Sequence, residues 1–272
     1  MVVLVGLADW SHTIQGRTDH FDGLTVTALI PSVSHSFASP IQVIASDGRR
    51  YFVKRLEACP NDEARASLAI EFIVSGVGGL IGAPVCPTSL IRIPEELAEW
   101  PLNGGVLKAG LAHASLALEH VEERRQALSL RERDDNRRRH VGIYALYDWC
   151  FGDDAQWLYD RDDDYSIYSF DHGVYFPPNS GCWRPALLEQ SVDVPNELPD
   201  GSDGVSLEAV EEIAGALEKI SRGALADILC GVPASWPVND RELEALGWFL
   251  ERRAPAVAGR VRMLLERRSE VI

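Results

Sequence analysis

Residues 148–176 read DWCFGDDAQWLYDRDDDYSIYSFDHGVYF, and the fold turns on how its two acidic turns are understood. Asp153-Asp154 closes an aromatic helical run, and Asp171, seventeen residues after Asp154, ends the short strand YSIYSF. Two turns joined by a hairpin-like segment deliver their carboxylates to one end of the structure. One acid can then sit beside a hydroxyl while the other holds magnesium, a hard cation that takes one or two carboxylates together with phosphate oxygens. The plainer alternative is that Asp153 and Asp154 only terminate a helix and that Asp162 to Asp164 form a solvated hairpin tip. His172, next to Asp171, does not signal zinc, because His35, His113, His120 and His140 lie far apart and at no ligand spacing.

Upstream of this stretch the pattern is β. LTVTALI (24–30) and PIQVIAS (40–46) alternate with β-branched residues, and RRYFVKRL (49–56) follows the hairpin signal Asp47-Gly48, which predicts three antiparallel strands. The small, polar stretch PSVSHSFAS (31–39) joins the first two. Asn61 is placed to cap a helix from Asp62 to about Leu80, along which Leu68, Phe72, Ile73, Val77 and Leu80 recur at helical spacing. Gly82 closes that helix, and Pro84 and Pro87 bar its continuation. SLIRIP (89–94) and SLALEHV (115–121) read as further strands on either side of a loop at Asn103-Gly104-Gly105.

Beyond residue 122 helices dominate. Ser129-x-x-Glu132 predicts a capping box for a helix reaching Trp149, and amphipathic segments follow near 206–220, 239–252 and 255–268. The expected fold class is α+β: a loose arm over 1–20, a small antiparallel β-rich lobe with one long helix over 21–121, and a mainly helical lobe over 122–272.

Lys54 falls in the third strand and Glu71 in the following helix, seventeen residues later. In a strand–helix lobe the two can meet, the ammonium contacting nucleotide phosphates and the carboxylate fixing its rotamer. Singly, each is ordinary; the spacing after a flexible polar loop is what draws attention. Other chemistries fit less well. No G-x-S-x-G elbow is present for a serine hydrolase. Asp153 and Glu71 as the acid pair of a glycosidase would leave Lys54 unexplained.

Composition narrows the class. With 272 residues and 46% hydrophobic content, the chain can bury an ordinary core. A net charge of −15, from 41 acidic and 26 basic residues, repels phosphate backbones and anionic lipid, so neither a nucleic-acid nor a membrane partner is expected. The mixed run RERDDNRRRH (131–140) reads as a solvated helix face. Five scattered cysteines without C-x-x-C spacing signal neither a disulfide framework nor a zinc knuckle and fit a reducing cytoplasm. The apolar start MVVLVGLADW lacks the charged region and cleavage pattern of a signal peptide, and Ile73 to Val85 is too short for a bilayer span.

In order along the chain, SVSHSFASP, YFVK with Lys54, IEFIVSGVGGLIGAPV with Glu71, ALEHV, FGDDAQ and Asp171-His172-Gly173 resemble the HipA-like kinases, a branch of the protein-kinase-like and phosphoinositide-kinase-like fold. The resemblance spans roughly 24–180. It implies an ATP- and Mg2+-dependent phosphotransferase acting on a protein or small-molecule hydroxyl. The backbone at Ser34, His35, Ser36 and Phe37 would cover the phosphates, and Lys54 would contact phosphate while paired with Glu71. The backbone at Glu119, His120 and Val121 would hold adenine. Asp154, with Asp153 as its rival, would be the catalytic base, and Asp171 would bind metal. The family's Arg-His after the base and its metal-binding Asn are absent. Gln156 or Asp160 would have to substitute, or the second metal is missing. The additional N-terminal subdomain of the family's full-size toxins has no counterpart either. A nucleotide-binding pseudokinase with a regulatory or scaffold role is the alternative.

Overall fold

The computed structural model describes residues 6–31, 39–59, 61–102 and 105–266. Its N-terminal half is a closed barrel built from β1 (Leu24–Ile30), β2 (Ile41–Ala45), β3 (Arg50–Lys54), β4 (Thr88–Ile93) and β7 (Gly110–Leu116) in the order β1-β2-β3-β7-β4. Neighbours run antiparallel except β1 and β4, whose parallel contact at Leu24 and Thr25 closes the ring. The β2–β3 turn is the expected one: Gly48 has φ 77° and the Asp47 carboxylate accepts from the backbone of Arg49. Strand alternation sends Val26, Val43, Tyr51, Val53, Ile91, Ala112 and Ala114 into the barrel core. Lys54 on β3 and its cross-strand partner His113 on β7 therefore lie on the opposite face.

That face is covered by a helix. Asn61 accepts from the backbone of Ala64 at 2.7 Å and starts α1 (Asp62–Arg65), which is offset by one residue from α2 (Ser67–Leu80), so the single helix expected over this stretch is broken at Ala66. A two-stranded hairpin, β5 (Pro101–Leu102) and β6 (Gly105–Val106), flanks the barrel. The strand expected over 115–121 is instead the end of β7, a four-residue link and the start of β8 (Val121–Arg125).

The second half begins with α3 (Asn136–Trp149), not at the Ser129 capping box. Ser129 is held by the Tyr159 hydroxyl and Arg124, and Glu132 pairs with Arg137, so tertiary partners take the groups the box would have used. β9 (Gln156–Asp160) lies between β8 and β10 (Ser166–Ser169) in an antiparallel sheet. Then follow α4 (Pro185–Ser191), α5 (Leu207–Glu218), α6 (Arg222–Cys230) and α7 (Asp240–Met263). α5 carries an N-cap at Ser206. α7 is one helix where the amphipathic pattern predicts two segments, 239–252 and 255–268. Ala245, Leu246, Phe249, Leu250, Val257, Ala258 and Val261 are buried along it on both sides of Pro255, and packing of that length outweighs one lost backbone hydrogen bond. None of the described helices is long and apolar enough to cross a membrane.

The N-terminal stretch is not a loose arm. Trp10 is fully buried, donates through Nε1 to Glu251 at 2.6 Å and lies flat against α7 at Gly247, where any Cβ would come within 2.3 Å of its ring. Arg17 donates to the carbonyls of Val232, Pro233 and Val238. The polar breaks around it, DWSHTIQGRTDH (9–20), carry no sustained period that would mark this indole as buried. Trp10→Ala is expected to cost about 3–5 kcal/mol in urea unfolding, the range for emptying a large aromatic site. A cost below ~1 kcal/mol would restore the arm to a loose segment.

Candidate active site

Lys54 ends β3 and points away from the barrel core toward α2. Its ammonium donates to Glu71 Oε1 and to Asp171 Oδ1, each at 2.5 Å. The lysine side chain is 15% exposed, Glu71 3% and Asp171 38%, so Asp171 is the member that faces outward. Two carboxylates share one cation. Burial alone would raise Glu71, but the Lys54 ammonium beside it holds the carboxyl down at about 2. Burial would also lower Lys54, and the two carboxylates more than offset that and raise it. Asp171 moves the other way: burial lifts it above the ordinary carboxylate value, Lys54 opposes, and the Glu71 charge adds to the rise. Asp171 is the under-compensated carboxylate of the two.

The position of Asp171 is set by the end of β10. Ser169 donates through its backbone to the Pro84 carbonyl and accepts from Cys86, which fastens β10 to the segment leaving α2. His172 then turns inward. It is buried, its Nε2 lies 2.7 Å from the Ser169 hydroxyl, and its Nδ1 is 4.0 Å from Glu71. Gly173 follows and lies close against α2: a Cβ there would meet Glu71 Oε1 and the Ser67 side chain at 3.2 Å, tighter than ordinary contact. Asp171 itself has φ 58°, and Asp154 has φ 46°. Both are non-glycine residues in the left-handed region, a cost that surrounding structure sustains most often at functional positions.

Register brings the second acidic turn to the same end of the hairpin. Ser169 pairs with Trp157, so Gln156 and the residues before it lie alongside Phe170 and Asp171. Gln156 is buried at the start of β9 and donates through Nε2 to Asp154 Oδ2 at 2.6 Å, while Asp153 accepts from the backbone of Asp154. Asp153 and Asp154 are both exposed. The hydroxyl of Tyr159, five residues after Asp154, bonds to Ser129, and Asp160 accepts from the backbone of Asp162.

The loop carrying these acids rests on residues that no local sequence pattern singles out. Arg253 on α7 is fully buried and donates to Asp148, to the carbonyl of Trp149 and to the carbonyls of Ser191, Val192 and Val194. Arg260 makes two further bonds to Asp148. Asn196 donates to the carbonyls of Tyr147 and Gly152, and Asn179 to that of Phe151. The end of α3 and the turn after it are thus pinned from three directions. No local pattern marks an arginine one hundred residues downstream as their anchor.

Other expected positions lie elsewhere. Ser34, His35, Ser36 and Phe37 fall outside the described residues. Glu119 and His120 occupy the link between β7 and β8, where Glu119 pairs with Arg50, His120 meets Asp162 at 2.9 Å, and Val121 opens β8. Both side chains are turned to the surface, and the His120 carbonyl accepts from the backbone of Arg161. Among the described residues no group of three or more His, Cys, Asp or Glu side chains converges to hold a metal ion. Asp171 and the amide oxygen of Gln156 are hard oxygen donors, the kind Mg2+ takes in small number alongside phosphates and water, so the donor set fits that cation.

The sequence matches no family model and no curated protein. Among solved structures, a Helicobacter pylori proinflammatory kinase, CtkA, superposes with TM-score 0.54 at 11% identity, covering 89% of this chain and 97% of that one. The Golgi casein kinase gives TM-score 0.46 at 10% identity over 96% of this chain and 77% of that one. The same kinase with Mn/ADP bound gives 0.46 at 10%, over 97% and 77%. The likeness to the bacterial kinase shows that the chain has an α+β, kinase-like fold.

His113 is fully buried on β7, and neither ring nitrogen has a hydrogen-bond partner among the described residues. Burial pushes it down to about 4 against the pull of Glu71, and burial likewise pushes His172 to about 4. Groups with depressed folded values contribute stability above their unfolded value near 6.5, and that stability is lost as pH falls toward 4. His113→Leu is therefore expected to flatten the fall in stability between pH 6.5 and 4 by about 1.4 kcal/mol per pH unit, one proton's worth. Urea titrations across that range would read it, and an unchanged slope would place the wild-type proton uptake elsewhere.

Proposed function

We propose that the chain is an ATP- and Mg2+-dependent phosphotransferase of the HipA-like type, moving the γ-phosphoryl group of ATP to a protein or small-molecule hydroxyl. The observation that carries this reading is the Lys54 ammonium held between Glu71 and Asp171. Phosphoryl transfer asks little covalent chemistry of a protein and much positioning and charge neutralisation, and this trio supplies both. Residues 21–121 form the half that clasps nucleotide and residues 122–272 the half that carries the acids, with residues 6–20 as a strap on the second.

In this reading Glu71 fixes the rotamer of Lys54, and the lysine contacts phosphate oxygens with its remaining donor capacity. Bound Mg2+ would supply charge neutralisation at the transferring group. Asp171 would hold it, with Gln156 offering its amide oxygen. The raised carboxyl of Asp171 supports this assignment, since a carboxylate left short of positive charge gains most from a divalent cation. Asp154 is the base that orients the acceptor hydroxyl, with Asp153 beside it. The backbone over Glu119 to Val121 meets adenine, and the stretch with Ser34 to Phe37 covers the phosphates.

One observation favours a second reading. One oxygen of Asp154 is already held by Gln156, and Tyr159 stands where the family's second metal ligand would be. A pseudokinase that binds nucleotide without transferring phosphate fits that arrangement.

The two readings separate in one pair of measurements. Nucleotide with Mg2+ at one hundred times its dissociation constant should stabilise the fold by about 2.7 kcal/mol. Under the kinase reading, ATP turnover accompanies that shift and Asp171→Asn lowers it by about 10²-fold or more with the fold kept. Stabilisation without turnover would select the pseudokinase, and full turnover in Asp171→Asn would remove Asp171 from the site.

A further inference from the structure

Alternation along β3 sends Tyr51 and Val53 into the barrel and puts Arg50, Phe52 and Lys54 in one row on the opposite face. Lys54, held by Glu71 and Asp171, is one end of that row. Arg50, about 14 Å away along the strand, is the other. Its guanidinium pairs with Glu119 and its carbonyl accepts from the backbone of Ala117, so it marks the link between β7 and β8. The row therefore runs from the ammonium that contacts phosphate to the segment set against the base, a span comparable to an extended nucleoside triphosphate.

Phe52 stands midway. α2 covers this face at Lys54, through Glu71, and at Thr88, through Ser75, yet Phe52 is left 39% exposed. Its cross-strand neighbours Gln42 and Ser115 are uncharged and half-buried. A bare phenyl ring flanked by neutral side chains is a poor surface for water and a good one for another flat ring. The backbone of the link, by contrast, is mostly engaged. Ala117 donates to Arg50, Leu118 to the Leu116 carbonyl, the His120 carbonyl accepts from Arg161, and Val121 is paired with Asp160 in the β8–β9 ladder. Few groups are left there to read the edge of one particular base, so its face carries the recognition.

We propose that Phe52 is the stacking platform for the nucleotide's base, and that the donor site consequently accepts purine nucleoside triphosphates by their face, GTP as well as ATP. Every base has a π face, so stacking tolerates base identity. A site that hydrogen-bonds an edge discriminates by orders of magnitude, because the wrong partner leaves polar groups unpaired. This inference rests on the proposed function, which brings a nucleotide to Lys54.

The test titrates the full chain with ATP, GTP and tripolyphosphate, each with Mg2+ at constant ionic strength, by calorimetry. ATP and GTP are expected to bind within about tenfold of each other. Phe52→Ala should weaken both by about tenfold or more, the loss of one base–aromatic stack, and leave tripolyphosphate unchanged. Phe52→Trp should keep nucleotide binding, and Phe52→Leu, which keeps apolar bulk without a ring, should behave as the alanine variant does and replaces it if that variant does not fold. Lys54→Met should weaken all three ligands together. The inference is overturned if the alanine and leucine variants keep wild-type affinity for nucleotide, if they lose tripolyphosphate equally, or if the wild type prefers ATP over GTP by more than about tenfold. A wild-type chain that binds no nucleotide would remove the proposed function as well, whereas nucleotide binding indifferent to Phe52 removes the stacking assignment alone.

Discussion

One ammonium held between two carboxylates joins the three parts of this molecule that matter. Lys54 comes from the barrel, Glu71 from the helix that covers it and Asp171 from the end of the β9–β10 hairpin. No two of these belong to the same element, so the trio exists only when the barrel, α2 and the hairpin are all in place. The opposing directions at Glu71 and Asp171 show how one cation divides between two acids. The buried carboxylate is satisfied by the lysine, and the outward one is left short.

Around that trio the packing leaves little freedom. Gly173 lies close against Glu71 and Ser67, and His172 packs between Ser169 and Tyr175 with its ring edge-on to the tyrosine at 5.0 Å. The other acidic turn is set from the far side, where Arg253 and Arg260 converge on Asp148. That ion pair is nearly devoid of solvent, and its value lies in fixing geometry, since a buried charge pair adds little net stability while the loss of one partner is severe. The guanidinium also lies over Phe151 and Phe249, which spreads its burial cost across aromatic faces.

Much of this was legible from local pattern. Strand alternation located β1, β2 and β3, the Asp47-Gly48 turn set their order, and the spacing of Leu68, Phe72, Ile73 and Val77 marked α2. These are short-range signals, because side-chain period and turn chemistry act over a few residues. Where the reading erred, long-range contacts had overridden it. Ser129 bonds across to Tyr159 and does not cap a helix, Pro255 is carried inside α7 by packing, and Trp10 is drawn into the helical core by residues more than two hundred positions away.

The amino-acid sequence by itself determined the α+β class, the strand and helix that present Lys54 and Glu71, and the turn that presents Asp171, since each depends on residues adjacent in the chain. Only the tertiary structure decided that all three meet, that Asp171 is the exposed member, and that Gln156 holds Asp154. It also decided that Arg253 anchors the end of α3 ahead of the first acidic turn. Distances and desolvation are properties of packed surfaces, and residues such as Arg253 acquire their meaning from partners a hundred positions away, which no local period records.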